Sequence, residues 1–379
     1  MASMNRNKSS NTLSALFVIA AGRGSIGDRQ MHSIAESAKL AAEYVYVEKG
    51  KPFISEVRRL SKVIANTKND VTIVKGLGWR AGGAAMLARV QTRGRSRYFV
   101  TAGDAVGSYE RNNHSWFRGL VGDVYERLLY KNSEGFIGRT GYYVGRAIRM
   151  GAPSGVTIEG FASPQLKFTD RAEELRATLN IPSDALVVGV SGSINWSARQ
   201  RYGYGVELVN AARLLNRSDV YFLIVGDGSG LDRLKSSTSG DSRFRFVGRV
   251  PHSEVGDYMQ VFDVAVISQT RDETGLLRTT TKFPEYLLAG VPIVMSAIPA
   301  AFDYVDHRAP EPPVVVIPND HPASTAYARS LARVIDEIPR SEWARRGRNG
   351  AAALARFDVD YVSARLVPYL SAEGWRTSD

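Results

Sequence analysis

Short apolar runs that stop at glycine recur along most of this chain, and stretches with helical spacing separate them. Ala15–Ala20 leads into Gly22-Arg-Gly-Ser-Ile-Gly27, and Val71–Val74 and Tyr98–Thr101 are each followed closely by glycine. Further on, Ala185–Val190 ends in Ser-Gly-Ser, and Tyr221–Val225 ends in Gly226-Asp-Gly-Ser-Gly230. Strands that alternate with helices specify an α/β fold of parallel sheets covered on both faces. Ligands of such sheets lie beyond the carboxyl ends of the strands, where these glycines fall.

The pattern starts twice. In the first block the spacing predicts helices over Met31–Ala42, Ile54–Ala65, Trp116–Lys131 and Thr140–Met150, with strands at Tyr44–Val47 and Gly135–Arg139. Ser163–Asp170 reads as a linker. The second block has a helix over Val206–Leu215, strands at Phe244–Val247, Phe262–Ser268 and Val314–Ile317, and helices near Ser324–Ile338 and Val359–Leu370. Ser253 is a candidate cap for a helix after Val250. A chain of 379 residues exceeds what one core usually covers. The expected division is 1–165, 166–355 and a terminal helix in 356–379.

Apolar residues make up 44% of the chain and charged ones 23%, as in ordinary globular proteins. No apolar run is long enough to span a bilayer. Leu13–Ala21 reads as a first strand rather than a signal peptide, and Met1–Ser10 as a polar tail. With no cysteine, disulfides and thiolate chemistry are excluded. The expected location is cytoplasmic, with peripheral contact at the inner membrane face. The formal charge of +11 favours acidic partners: a nucleotide, an anionic membrane or nucleic acid. The Arg93/Arg95/Arg97, Arg139/Arg146/Arg149 and Arg340/Arg345/Arg346/Arg348 clusters each admit the plainer reading of a solvated face. No aromatic-basic interleaving supports nucleic acid.

Arg278-Thr-Thr-Thr-Lys282-Phe-Pro-Glu285-Tyr-Leu-Leu-Ala-Gly290-Val-Pro-Ile-Val reads as loop, helix, glycine stop and strand. Cations at the positive end of a helix dipole are unfavourable unless an anion joins them. Thr279, Thr280, Thr281 and Lys282 are therefore a phosphate candidate, although threonine also caps helices. Glu285, one step inside, suits sugar hydroxyls, although glutamate in a first turn is favourable anyway. A phosphate site beside a ribose site means a nucleotide. Arg199 and Arg201 follow the second block's first strand and could clamp a diphosphate or only solvate a loop. Gly22–Gly27 has the spacing of a dinucleotide fingerprint, but Glu48 is the nearest acid. Asp104 and His114 could meet substrate or simply cap loops. Metal-ligand clusters, GxSxG and Walker A loops are absent from the sequence.

Taken together, Leu-Ile-Val-Gly-Asp-Gly, Phe-Val-Gly-Arg-Val and Thr-Lys-Phe-Pro-Glu-Tyr-Leu-Leu-Ala-Gly-Val-Pro-Ile-Val resemble the donor half of glycosyltransferase family 4, over roughly Leu186–Ser296. Arg356-Phe-Asp-Val-Asp-Tyr-Val-Ser-Ala-Arg-Leu resembles that family's last helix, which crosses back toward the first domain. The resemblance implies a GT-B fold of two Rossmann-like domains facing a cleft. It implies retaining transfer of a hexose-type sugar from a nucleotide diphosphate sugar, UDP- or GDP-linked, without metal or bound cofactor. Glu285 matches the ribose ligand; Thr280, Thr281 and Lys282 the diphosphate site; Arg199 or Arg201 the basic diphosphate contact. Gly248, Arg249 and Val250 match the turn beside the base. Gly24 matches the first domain's glycine loop, and Asp104 an acceptor-domain residue against the donor sugar. The leaving phosphate is implied to help take the acceptor's proton.

The family's usual first glutamate would fall at Leu277, and Glu273 lies further back, so the sugar is not named. The first block matches only in layout, leaving a glycan, lipid, protein or small-molecule acceptor. The rivals are an inactive binder of the same fold, a DNA-modifying sugar transferase, a sugar-nucleotide epimerase, and a reductase using Gly22–Gly27.

Overall fold

The structure is a computed structural model that describes residues 12–162, 166–278 and 280–372. Its first half holds strands β1 (Ser14–Ile19), β2 (Ala41–Tyr46), β3 (Val71–Lys75), β4 (Tyr98–Thr101), β5 (Gly135–Gly138) and β6 (Gly155–Thr157). Between them run α1 (Ile26–Ser37), α2 (Phe53–Asn66), α3 (Trp79–Gln91), α4 (Val106–Asn113), α5 (Trp116–Lys131) and α6 (Gly141–Arg149). The second half begins with α7 (Ala172–Thr178), β7 (Leu186–Ser191), α8 (Val206–Ala212), β8 (Val220–Val225), α9 (Leu231–Ser237), β9 (Phe244–Gly248) and α10 (Val255–Met259). It continues through β10 (Val264–Ile267), α11 (Glu273–Leu277), α12 (Lys282–Leu288), β11 (Ile293–Ser296), α13 (Pro299–Asp303) and β12 (Val314–Ile317). Helices α14 (Thr325–Glu337), α15 (Arg340–Arg348), α16 (Ala351–Leu354) and α17 (Val359–Ser371) end it.

Two six-stranded sheets form, ordered β2-β1-β3-β4-β5-β6 and β12-β11-β10-β7-β8-β9. Every strand pair is parallel. The inner strands β1, β3, β4, β5, β7, β8, β10 and β11 are almost wholly buried, which is why they read as continuous apolar runs, whereas the edge strands β2, β6, β9 and β12 are only partly covered. Strand order reverses between β1 and β3 in one sheet and between β7 and β10 in the other. A parallel sheet opens a crevice at such a point.

Each sheet has apolar cores on both faces. In the first, residues of α2, α3, α5 and α6 cover one side, while α1 and α17 cover the other. Val362, Leu366 and Leu370 of α17 thus pack on the first sheet although they follow the second half in the sequence. Burying side chains of this size stabilises by about 1.5–3 kcal/mol each. Arg356 and Arg365 reinforce the docking by pairing with the buried Glu159 carboxylate, at 3.2 and 2.6 Å.

Several elements differ from the expected spacing. Helix α1 starts earlier, because the Ser25 hydroxyl accepts from the Asp28 amide and caps it there. Ser253 sits inside a 3-10 turn, His252–Glu254, and caps nothing. Helix α3 has little apolar periodicity because its inner face is glycine and alanine. A Cβ on Gly82 would lie 2.1 Å from the Tyr125 hydroxyl, so small residues let α5 approach. The Arg340–Arg348 cluster is not a free basic face: Arg340 pairs with Asp263, Arg345 with Glu311 and Arg346 with Glu342. Residues 163–165 of the expected linker, the 1–10 tail, Thr279 and residues 373–379 of the expected terminal segment lie outside the described residues.

The two halves are pinned by α11. Arg146 pairs with the fully buried Glu126 at 2.9 Å and with Glu273 of α11 at 2.6 Å. Leu277, at the end of α11, is buried in the first half's core. Removing one partner of a buried ion pair typically costs about 3–5 kcal/mol. Arg146→Met should therefore lower stability by about that much in urea unfolding. The double variant Glu126→Gln/Arg146→Met should recover part of the loss, since no unpaired charge then remains buried.

Candidate active site

The carboxyl ends of both sheets face a common cavity of about 350 Å³. One wall comes from α1, through Ile26, Arg29, Gln30 and Ser33. The other comes from the loop after β7 (Ser191-Gly192-Ser193), the turn after β8 (Gly226, Asp227), Arg249 to His252, and α12 with the residues before it. The two switch points therefore lie opposite each other across the cavity.

The glycine loops are packed too tightly for side chains. Gly226 has φ +142°, and a Cβ there would sit 1.8 Å from the Gly192 carbonyl oxygen. Gly192, at φ +115°, would bring its own Cβ within 2.6 Å of Lys282 Cε. Both positions need glycine for conformation and for space. The Lys282 ammonium lies 3.9 Å from the centre of the Tyr204 ring, over its face.

Thr280, Thr281, Lys282 and Glu285 line the same wall. The Thr280 hydroxyl oxygen is buried with no hydrogen-bond partner, as is His252 Nε2. Buried polar atoms of this kind are uncommon and call for a ligand or water. Burial lowers the His252 pKa, with Arg29 adding repulsion, so the ring favours its neutral form. Burial also raises the Glu285 carboxyl to about 7, while Lys282, the Thr281 hydroxyl and Arg29 pull it down. Behind the cavity lies a smaller one, about 30 Å³, that shares Gln30 and Phe161 with it and is lined by Lys75 and Arg139. Burial, and then repulsion from Arg139, lowers Lys75 to about 7.

Other expected site residues lie elsewhere. Gly248, at φ +78°, forms the turn that presents Arg249 and Val250 to the cavity. Arg199 and Arg201 are outside its lining, and Arg199 Nη1 donates to the Arg111 carbonyl at 2.5 Å. Asp104 Oδ1 accepts from Arg278 Nε at 2.6 Å, so both are held in a contact between the two halves. Gly24 has φ +73°, and its amide donates to Asp28 Oδ2 at 2.7 Å. That carboxylate occupies the start of α1, where a dinucleotide diphosphate would need free amides. Glu48 pairs with Lys51 and Arg59. His114 is half exposed beside Glu110, away from the cavity. Glu273 points to Arg111 and Arg146 instead of the cavity.

Residues 185–337 match the family described as Glycosyl transferases group 1. The chain carries a group 1 glycosyltransferase domain. Cavity residues from Ser191 to Glu285 fall inside the matched region, while Arg29 and Gln30 lie in the half before it. The chain is also similar to solved structures over nearly its whole length. Sucrose-phosphate synthase from Thermosynechococcus elongatus has TM-score 0.72 at 16% identity, covering 96% of this chain and 100% of that one. Anabaena HepE in complex with UDP-glucose gives 0.70 at 17%, covering 95% and 100%. A UDP-N-acetylglucosamine 2-epimerase described as putative, from Listeria monocytogenes, gives 0.60 at 8%, covering 97% and 98%. At these identities the likeness establishes the GT-B fold. No similar sequence was found among curated proteins.

The sequence alone does not single out Arg29, His252 and Tyr204. Arg29 and His252 reach the cavity, and Tyr204 lies under Lys282. His252 stood in Val250-Pro-His beside a recognised turn, a signal that was available. Arg29 has no local signal, since only the fold of the first half turns it to the second.

Glu285 makes stability depend on pH. Between about pH 4.5 and 7 the folded chain keeps a proton that the unfolded chain releases, so this group lowers stability as pH rises through that window. Glu285→Gln is uncharged and of similar shape. It should be more stable than the parent above pH 7 by about 1–3 kcal/mol, and the two should converge below pH 4.5. Melting temperatures from pH 4 to 8 check this; a gap that ignores pH would mean that Glu285 is not held neutral.

Proposed function

We propose that this glycosyltransferase moves a hexose-type sugar from a nucleotide diphosphate sugar to an acceptor with retained anomeric configuration. The observation that carries the reading is Lys282 and Glu285, three residues apart on one short helix, both lining a single cavity. A cation next to an orphaned hydroxyl suits phosphate, and a buried carboxylate suits a ribose diol. Arg249, Val250 and His252 then border the base, with Gly248 shaping their turn. Residues 166–355 hold the donor, 1–165 the acceptor, and the terminal helix α17 crosses back between them.

The hard step is departure of the diphosphate from an oxocarbenium-like carbon. Lys282, Thr280, Thr281 and the amides of the Gly192 loop would stabilise the charge that develops on it. The acceptor oxygen attacks the face that the diphosphate leaves, and its proton passes to the departing phosphate oxygen. These groups supply the positive charge without a metal ion. Arg199, Arg201 and Asp104 become ligands when the domains close, and Gly24 lets the first loop move toward the donor sugar.

The UDP-glucose in Anabaena HepE supports a UDP-linked donor as the first to try, with GDP-linked donors next. The acceptor is a glycan, a lipid or a small molecule, which fits a role in polysaccharide biosynthesis. A charge of +11 fits a cytoplasmic enzyme in peripheral contact with an anionic membrane.

A thermal-shift panel of UDP, GDP, ADP, dTDP, CMP and NAD tests the donor site. A ligand at ~100 times its dissociation constant adds about 2.7 kcal/mol of stability. One diphosphate nucleotide should stabilise the parent, with at least a tenfold weaker response in Lys282→Ala and Glu285→Ala. Stabilisation by NAD alone, or unchanged responses in both variants, would overturn the reading. Donor turnover that needs an acceptor separates transfer from epimerisation, and no turnover at all identifies a binder.

A further inference from the structure

Helix α5 presents an apolar face that the fold does not cover. Trp116 is 70% exposed, Phe117 66% and Val124 54%, and Leu120, Val121 and Leu128 are also exposed. Their spacing places them along one side of the helix. The inner side is already satisfied, because Gly119, Gly122, Tyr125, Glu126, Leu129 and Tyr130 are buried. Isolated exposed apolar residues need no explanation, but a continuous stripe of this kind marks an interaction surface.

The charges around the stripe identify what it meets. Arg127 and Lys131 are exposed on the same helix and have no ion-pair partner among the described residues. Arg118, also exposed, reaches Glu110 at 2.8 Å. Both acids of α5 are engaged by arginines: Asp123 pairs with Arg111 at 2.5 Å and Glu126 with Arg146 at 2.9 Å. Neighbouring α6 adds exposed Tyr142, Ile148 and Arg149. The outer surface is therefore apolar and cationic: among the described residues Glu110 answers Arg118, while Arg127 and Lys131 are left without an acid. A symmetric pair of copies through this face would set like charges together. An aromatic and aliphatic stripe flanked by Arg and Lys instead matches the boundary of a bilayer with anionic headgroups.

We propose that the outer face of α5 is a peripheral membrane-binding surface, with Trp116 and Phe117 entering the headgroup region and Arg127 and Lys131 contacting anionic lipid. The Trp116 end adjoins α4, whose Asn112 donates to Thr274 of the second half at 3.0 Å. The bilayer would thus border the junction between the two halves. The surface acts in this way whether or not the chain transfers sugar.

Flotation of the full chain with vesicles tests it, using phosphatidylcholine alone and phosphatidylcholine doped with phosphatidylglycerol. The parent should float with the doped vesicles and stay behind with the neutral ones. Trp116→Ser/Phe117→Ser and Arg127→Glu/Lys131→Glu should each reduce flotation at least tenfold while keeping the parent's melting temperature and nucleotide response. Parent protein that never floats, or flotation that neither double variant weakens, would overturn the proposal. So would a dimer in sedimentation velocity that Trp116→Ser/Phe117→Ser abolishes, which would assign the face to a second copy.

Discussion

The contact of Arg146 with Glu126 and Glu273 is the constraint on which the cleft depends. Glu126 is fully buried, so taking away its guanidinium partner would leave an unpaired polar group in the core. Arg146 is that partner, and its Nε reaches across to Glu273 on the other half. Leu277, one helical turn along, enters the first half's core beside this contact. Together they set the spacing of the two carboxyl edges that face the cavity. Polar contacts extend the same seam: Ser108 meets the Thr274 hydroxyl at 2.5 Å, and Asp104 meets Arg278.

That seam also explains a feature of the family-like motif that looks like a loss. Where the resemblance implies a glutamate, this chain has Leu277, and its nearby acid, Glu273, is committed to two arginines. Both residues hold the domains together, leaving Glu285 as the acid of α11 and α12 that lines the cavity. Arg278 follows the same logic. Its positive charge beside α12 suggested an anion, yet Asp104 answers it, while Lys282 is left facing the cavity over Tyr204.

Much of this was legible in the sequence because it is local. The parallel strands are written as short apolar runs, so β4 and β12 fall where those runs do. The α12 segment carries its hydroxyls, cation, acid and glycine stop within a few residues. What escaped the reading depends on distant partners. Helix α3 is written in glycine and alanine because α5 presses on it, and nothing within α3 records that pressure. Arg29 and His252 converge only once two sheets face each other. The basic clusters were ambiguous for the same reason, since a sequence does not show that Arg345 lies beside Glu311 or that Arg146 lies beside Glu126.

The close approach of α5 to its neighbours has a further consequence. A Cβ on Gly122 would lie 2.8 Å from the Gly107 Cα, and one on Gly82 would meet Tyr125 and Leu129. The helix is therefore clamped on its inner side before it meets anything outside. Many membrane-seeking segments are unfolded in water and lose conformational freedom when they land, which offsets part of their attraction. A prebuilt helix held by its own domain avoids that entropic loss. Adsorption would then follow lipid charge and ionic strength directly, with no folding transition between solution and surface.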